Sequence, residues 1–129
     1  MSTRAQVRFA TREDGVSFSE HPDKIHAQFY KHSDGYPEGL GLDIADSILN
    51  NVGLTNWEIE HVQTRHGDLE YIYYIWSDYD KETWISIFQG FGNGDDFECI
   101  FVGKPNKLIT TYGSQLEESY YKLNTNNDG

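Results

Sequence analysis

Residues 29–41 constrain the fold of this chain more than any other segment, because they combine a strand end, a tight turn and a helix start. Apolar and polar side chains alternate over residues 25–29, which predicts a β-strand that leads into the segment. Asp34 and Gly35 then provide the signal of a tight turn, since glycine accepts the positive φ that other residues resist. Pro37 suits the first turn of a helix, where its missing N–H is not needed. A strand, a turn and a helix are therefore predicted in direct succession.

The main helix is predicted over residues 37–51. Leu40, Ile44 and Ile48 recur at intervals of four residues, which places them on one face of a helix. Gly53 then suits the left-handed cap that commonly ends a helix. The chain therefore has one main helix with an apolar face that must pack against another element.

Strand patterns occur on both sides of this helix. Residues 5–9 and 16–18 alternate around an Asp-Gly turn signal at 14–15, which predicts a hairpin. Further strands are predicted at residues 57–62, 71–76, 84–88 and 97–102. Short polar connections between them favour an antiparallel meander. We therefore predict an α+β fold, in which a twisted antiparallel β-sheet carries the helix 37–51 on one face and a C-terminal helix starts at Ser114.

The chain is expected to form a single domain over residues 1–123. At 129 residues it is long enough to bury one core. Its hydrophobic fraction of 37% and aromatic fraction of 15% separate it from disordered chains, which lack such aromatic content. Residues 124–129 are polar and are expected to form a disordered tail.

The sequence favours a cytoplasmic location. Cys99 is the one cysteine, which excludes an internal disulfide and favours a reducing compartment. No apolar run approaches the ~20 residues needed to span a bilayer. The first residues also lack the apolar region of a signal peptide. We therefore expect a soluble cytoplasmic protein that does not bind a membrane.

The net charge of −11 restricts the partners of this chain. It results from 21 acidic residues against 10 basic ones. Direct nucleic-acid binding is disfavoured, because it requires a cationic surface that displaces counterions. The acidic surface either keeps the protein soluble or steers a basic partner toward it.

One candidate ligand-binding site lies at the turn and the helix start. Gly39 and Gly41 each cost about 1 kcal/mol relative to alanine in a helix, so something must compensate. Either the helix crosses the sheet so closely that a Cβ would clash, or a ligand approaches the exposed N–H groups. A nucleotide base would then stack on Tyr30 and Tyr36. The complete candidate set is Tyr30, His32, Asp34, Tyr36, Glu38, Gly39 and Gly41.

Metal binding is an alternative for the same segment. His32, Asp34 and Glu38 offer the imidazole and carboxylate ligands that suit zinc, manganese or iron, and they would support a metal-assisted hydrolase. Their spacing matches no established metal signature. No cofactor is therefore predicted.

A candidate partner-binding site lies in the aromatic and acidic block after residue 70. Residues 71–76 are apolar on both faces of a strand, so one face fills the core. The other face either meets a partner or is covered by the C-terminal helix. Tyrosine and tryptophan are enriched in interface hot spots, so a host protein or a second copy of this chain is the expected partner. The candidate set is Tyr71, Tyr73, Trp76, Asp78, Asp80, Glu82, Trp84, Asp95 and Asp96.

Residues 30–39, with the sequence Tyr-Lys-His-Ser-Asp-Gly-Tyr-Pro-Glu-Gly, resemble a motif of small, mostly uncharacterised proteins of bacteria and their phages. In those proteins an aromatic-x-His-x-Asp-Gly-Tyr-Pro run also leads from a strand into a helix. The resemblance covers about residues 25–52. It implies a prokaryotic or phage setting, in which small acidic proteins often act by binding, and it implies no catalytic residue.

These observations favour a non-enzymatic intracellular binding protein, encoded by a phage, that occupies a host protein through an acidic aromatic surface. A small-ligand module that sequesters a nucleotide at residues 34–41 is the second hypothesis, and the metal-assisted hydrolase is the third. The first hypothesis has a sharper form in which the surface mimics DNA. The carboxylates in place of phosphates would be Asp78, Asp80, Glu82, Asp95 and Asp96.

Overall fold

The fold is one mixed sheet with helices on one face, which confirms the α+β class. The computed structural model describes residues 3–12, 22, 24–50, 58–64, 66, 69–77, 80–90 and 97–113. Within these residues, the strand order is β3-β2-β1-β4-β5-β6. The strands are β1 (Ala5–Thr11), β2 (Lys24–Lys31), β3 (Glu58–Glu60), β4 (Tyr71–Ser77), β5 (Thr83–Gly90) and β6 (Phe97–Gly103).

The predicted main helix is present and begins at the predicted residue. A π-helical turn (Pro37–Gly41) runs directly into helix α1 (Leu42–Asn50). Pro37 occupies the first helical position after an extended Tyr36, as expected for a residue without an N–H. The apolar face points toward the sheet, where Leu40 and Ile44 are fully buried.

A second, short helical segment follows β6. Helix α2 (Pro105–Leu108) again starts with a proline and continues into a second π-helical turn (Ile109–Gly113). The predicted helix start at Ser114 and the tail 124–129 lie outside the described residues. In the part of the chain that the structure describes, no helix has the length and apolar character needed to cross a bilayer.

The sheet differs from the predicted antiparallel meander at its centre. β4, β5 and β6 do form a meander, but β1 pairs in parallel with β4. The other edge of β1 pairs antiparallel with β2, so both of its edges are occupied. Residues 16–18, predicted as the hairpin partner of residues 5–9, lie outside the described residues. Turn residues encode the local reversal of the chain, but not the edge at which the next strand joins the sheet.

Both faces of the sheet carry buried apolar side chains. The face toward α1 holds the larger core, and the other face holds a second cluster that is centred on Tyr74, Trp76 and Phe88. β4 contributes alternately to both faces, so that residues 72–76 are all buried. The second face of this strand was predicted to meet a partner or to be covered by the C-terminal helix. Its residues Ile72, Tyr74 and Trp76 are buried, and the predicted C-terminal helix lies outside the described residues. The larger core consists of Ala5, Val7, Leu40, Ile44, Ala45, Tyr73, Ile75, Ile85, Ile87, Phe101 and Leu108.

Two isoleucines provide a matched test of where the stability resides. Ile87 is fully buried at the centre of β5, whereas Ile59 in the edge strand β3 is 77% exposed. We expect Ile87→Ala to reduce the free energy of unfolding by about 2–5 kcal/mol, because it leaves a cavity in the core. We expect Ile59→Ala to change it by less than about 0.5 kcal/mol. Urea denaturation measures both values, and equal losses would contradict this account of the core.

Candidate functional site

The predicted turn before α1 is fixed by hydrogen bonds to distant parts of the chain. Asp34, not Gly35, adopts the left-handed conformation, with a φ of 57°. The N–H of Gly35 donates to the carbonyl of Thr3 at 3.0 Å, and the Tyr73 hydroxyl donates to the carbonyl of Gly35 at 2.5 Å. The start of β1 and the middle of β4 therefore hold the turn in place.

Close packing explains two of the three glycines of this segment, Gly35 and Gly39. A Cβ on Gly35 would lie 2.7 Å from the Cβ of Ala5, and one on Gly39 would lie 2.9 Å from the carbonyl oxygen of Asp34. A Cβ on Gly41 would lie 3.6 Å from its nearest neighbours, which are atoms of Leu108 and Tyr73, and this distance is ordinary contact. The close approach at Gly39 comes from its own turn, so no ligand is needed to account for it.

The two tyrosines expected to stack on one base do not share a site. Tyr30 is buried on the face of the sheet away from α1, where its ring stacks on His66 with centroids 3.9 Å apart. Tyr36 is exposed beside Gly39, and its hydroxyl donates to Asp34 at 3.4 Å. The nucleotide site predicted for this segment therefore lacks its stacking pair.

The three residues considered as metal ligands also have separate environments. His32 Nε2 lies 3.0 Å from Glu58 Oε1, whereas Asp34 accepts the hydrogen bond from Tyr36. Among the described residues, no three histidine, cysteine, aspartate or glutamate side chains are grouped to hold a metal ion.

The charge of Glu38 acts on two residues of the second predicted site, Tyr71 and Tyr73. Burial raises the pKa of Tyr71, and the negative charges of Glu38 and Glu70 raise it further. Burial likewise raises the pKa of Tyr112, again with Glu38 as the next cause. Burial raises the pKa of Tyr73 most strongly, and charges on Tyr71, Tyr112 and Glu38 add to the effect. The charge of Glu38 therefore adds to the effect of burial on phenols of β4 and of the second π-helical turn.

Three of the remaining predicted interface residues, Trp76, Trp84 and Glu82, contact other residues of this chain. Trp76 is buried and stacks on Trp84, with centroids 5.5 Å apart and ring planes 12° apart. Arg12 lies 4.8 Å above the Trp76 ring, and Lys104 lies 5.5 Å from the Trp84 ring and pairs with Glu82. Asp80 is exposed. The positions outside the described residues are Asp78, Asp95 and Asp96.

The sequence analysis missed a polar network on the face of the sheet away from α1. Arg8 donates to Gln28 Oε1 at 2.8 Å, to the Tyr74 hydroxyl at 2.8 Å and to Gln6 Oε1 at 2.9 Å. Both glutamines are fully buried, and each donates to Glu60 Oε1 at 2.8 Å. Their alternation with apolar residues is typical of a solvent-facing row. The network instead ties β1, β2, β3 and β4 together by satisfied hydrogen bonds.

The sequence analysis also missed a cleft of about 490 Å³ at the carboxyl ends of β1 and β4. It adjoins an irregularity in the pairing of β1 with β2, between Phe9 and Ala10. Within the cleft, the Thr11 hydroxyl and His26 Nε2 are 2.6 Å apart and hydrogen bonded. No local sequence pattern predicts the cleft, because its described walls come from five different helices and strands. They are Phe9, Ala10, Thr11, His26, Ile48, Ile75, Trp76, Ser77 and Thr83.

Comparison with known proteins finds no matching family model, no matching curated protein and no matching solved structure.

Two glycine substitutions separate packing from ligand binding in the helix start. Gly39→Ala forces a Cβ against the Asp34 carbonyl, so we expect a loss of about 1–3 kcal/mol in the free energy of unfolding. Gly41→Ala meets only ordinary contacts and should leave stability unchanged or raise it by up to about 1 kcal/mol. Denaturant titration of both variants measures the difference. A larger loss for Gly41→Ala than for Gly39→Ala would contradict the packing explanation.

The buried phenol of Tyr73 predicts a loss of stability at high pH. Its folded-state pKa is raised well above the ordinary value of 10.0, so its contribution is complete below pH 10. As the pH rises above that value, the unfolded chain releases this proton while the folded chain retains it, and stability falls. We expect Tyr73→Phe, which is also less stable at neutral pH, to lose less stability between neutral and alkaline pH. The exposed Tyr36 offers the control Tyr36→Phe, and equal slopes for all three proteins would refute the assignment.

Proposed function

We propose that this chain is a non-enzymatic binding protein that holds a small, uncharged and largely apolar ligand in the cleft between the ends of β1 and β4. The observation that carries the proposal is the cleft itself, with its volume of about 490 Å³. Sites for small ligands commonly have volumes of ~300–1,000 Å³ and mostly apolar walls with a few polar groups. Crevices at the carboxyl ends of parallel strands are frequent ligand sites in open α/β sheets.

The chemistry of the walls determines the class of ligand. Phe9, Ile48 and Ile75 provide an apolar surface, and the rings of Trp76 and His26 border it. Among the described lining residues, the polar groups are three hydroxyls, from Thr11, Ser77 and Thr83, together with one imidazole. None of these described lining residues is a lysine or an arginine, and the chain carries a net charge of −11. An anionic ligand such as a nucleotide is therefore disfavoured, and a neutral molecule with one or two hydrogen-bonding groups fits.

The same groups favour binding over catalysis. Among the described residues that line the cleft, the hydrogen bond between Thr11 and His26 is the one pairing of a hydroxyl with an imidazole. A catalytic pair of this kind needs a third group that orients the imidazole. Among the described residues, no carboxylate forms a hydrogen bond or ion pair with His26. The cleft therefore offers hydrogen bonds to a ligand without an arranged catalytic set.

Binding of a host protein through an acidic aromatic surface, in a cytoplasmic and phage-encoded setting, stays a prediction. The excess of carboxylates supports it, since such a surface would attract a basic partner. However, Tyr73 and Trp76 are buried, Trp84 stacks on Trp76, and Glu82 pairs with Lys104. The cleft is the better supported site, because its described lining residues form an open concave surface within a single chain.

Filling the cleft tests this function. We expect the neutral dye Nile red to bind the wild-type protein at one saturable site with increased fluorescence. Ser77→Phe places a ring at the exposed rim of the cleft, and the dye should bind at least ~10-fold more weakly because it must displace that ring. Glu98→Phe adds the same ring at an exposed position of β6, away from the cleft, and should leave the affinity unchanged.

Circular dichroism must show that both variants fold as the wild type does. Non-saturable dye binding, or equal affinities for the wild type and Ser77→Phe, would refute the proposed cleft ligand.

A further inference from the structure

A row of apolar side chains continues from the cleft across the neighbouring strands. Phe9 lines the cleft, and 37% of its surface is exposed. Its ring meets the Phe29 ring edge to face, with centroids 5.8 Å apart. Phe29 in turn lies directly opposite Ile59 in the pairing of β2 with β3. We call Phe9, Phe29 and Ile59 the apolar strip.

The strand register places the three side chains of the apolar strip on one face of the sheet. Val7 belongs to the larger core and lies opposite Phe29, which also packs against that core. Phe9 follows Val7 by two residues along β1, and therefore shares its face. Ile59 shares the face of Phe29, because directly opposite residues of paired strands do so. The apolar strip therefore begins at the cleft and crosses β1, β2 and β3.

The dimensions of the apolar strip favour a narrow ligand over a protein. Its far end is the most open part, since Ile59 is 77% exposed whereas Phe29 is half-buried. Three side chains offer much less than the ~800 Å² that each partner contributes to a standard protein interface. β3 is only three residues long, so a peptide strand that added to its edge would form few hydrogen bonds.

From this continuity we infer that the ligand of the cleft carries a linear alkyl chain, which leaves the cleft beside Phe9 and lies along Phe29 to Ile59. The inference rests on the proposed function, because the cleft holds the remainder of the ligand. Neighbouring strands are ~4.8 Å apart, so the apolar strip extends ~10 Å from β1 to β3. Bonds between carbon atoms are ~1.5 Å long, so an extended chain of roughly eight carbons covers this distance.

The distribution of polar groups orients this ligand. The apolar strip consists of two phenylalanines and an isoleucine, whose side chains form no hydrogen bonds. The cleft carries hydroxyls, including those of Thr11 and Thr83, and the imidazole of His26. The polar head of the ligand therefore lies in the cleft, and each methylene that covers the strip leaves water for an apolar surface. The ligand class is a neutral long-chain amphiphile, such as a fatty alcohol.

NMR spectroscopy of isoleucine methyl groups in the full chain tests this inference. Ile48 and Ile75 line the cleft and report on its occupation, whereas Ile59 reports on the far end of the apolar strip. 1-Hexanol is too short to occupy both regions, so it should shift only the methyl signals of Ile48 and Ile75. 1-Tetradecanol should shift all three signals and give nuclear Overhauser effects between its methylenes and Ile59.

The outcomes of this experiment separate the alkyl chain from the cleft ligand. Signals of Ile48 and Ile75 that respond to neither alcohol would refute the cleft as a binding site, and the inference with it. Shifts of these two signals by 1-tetradecanol without a shift at Ile59 would support the cleft ligand and overturn the alkyl chain. A shift at Ile59 alone would place the alcohol outside the cleft and would also overturn the inference.

Two exposed isoleucines provide matched variants for an affinity measurement by displacement of Nile red. Ile59→Ser shortens the apolar strip and should weaken 1-tetradecanol binding at least ~4-fold, the effect of one buried methylene, without changing the affinity for 1-hexanol. Ile109 lies outside the strip, in the second π-helical turn, so Ile109→Ser should change neither affinity. Equal weakening of both alcohols by Ile59→Ser, or equal effects of the two variants on 1-tetradecanol, would contradict the inference.

Discussion

The parallel pairing of β1 with β4 is the interaction on which the rest of the structure depends. It joins two antiparallel groups of three strands, β3-β2-β1 and β4-β5-β6, into a single sheet. At one end it sets Tyr71 opposite Ala5, which brings β4 beside the turn before α1, where Tyr73 bonds to Gly35. At the other end the two strands finish together and border the cleft. The position of the turn before α1 and the cleft are therefore both consequences of one strand pairing.

The polar network gives this pairing a fixed register. Gln6 and Arg8 alternate with Ala5 and Val7 along β1, so a slip of one residue would turn the guanidinium into the apolar core. In the observed register the network offers the half-buried Arg8 three hydrogen-bond acceptors. A shifted register would remove these partners from the charge, which costs free energy. The face of the sheet away from α1 therefore specifies one register of strand pairing and also buries side chains. Hydrogen bonds select the register, and the neighbouring aromatic cluster contributes the apolar burial.

The carboxylates of this acidic chain have different neighbours. Glu60 lies 2.7 Å from His66, Glu58 lies 3.0 Å from His32, and Glu82 pairs with Lys104. Burial raises the pKa values of Tyr71 and Tyr112, and the charge of Glu38 adds to both shifts. Net charge alone therefore does not describe the surroundings of each carboxylate.

The sequence by itself determined the elements whose signals are local. The Asp34 and Gly35 turn, the helix that begins at Pro37 and the strands around residues 71–76 follow from patterns of ten residues or fewer. The sequence also singles out Trp76, one of the residues that line the cleft, although as a member of a partner interface. The cleft itself and the burial of Gln6 and Gln28 were decided only by the tertiary structure. The physical reason is that alternation fixes which side chains share a face, whereas burial depends on which distant strand pairs with that one.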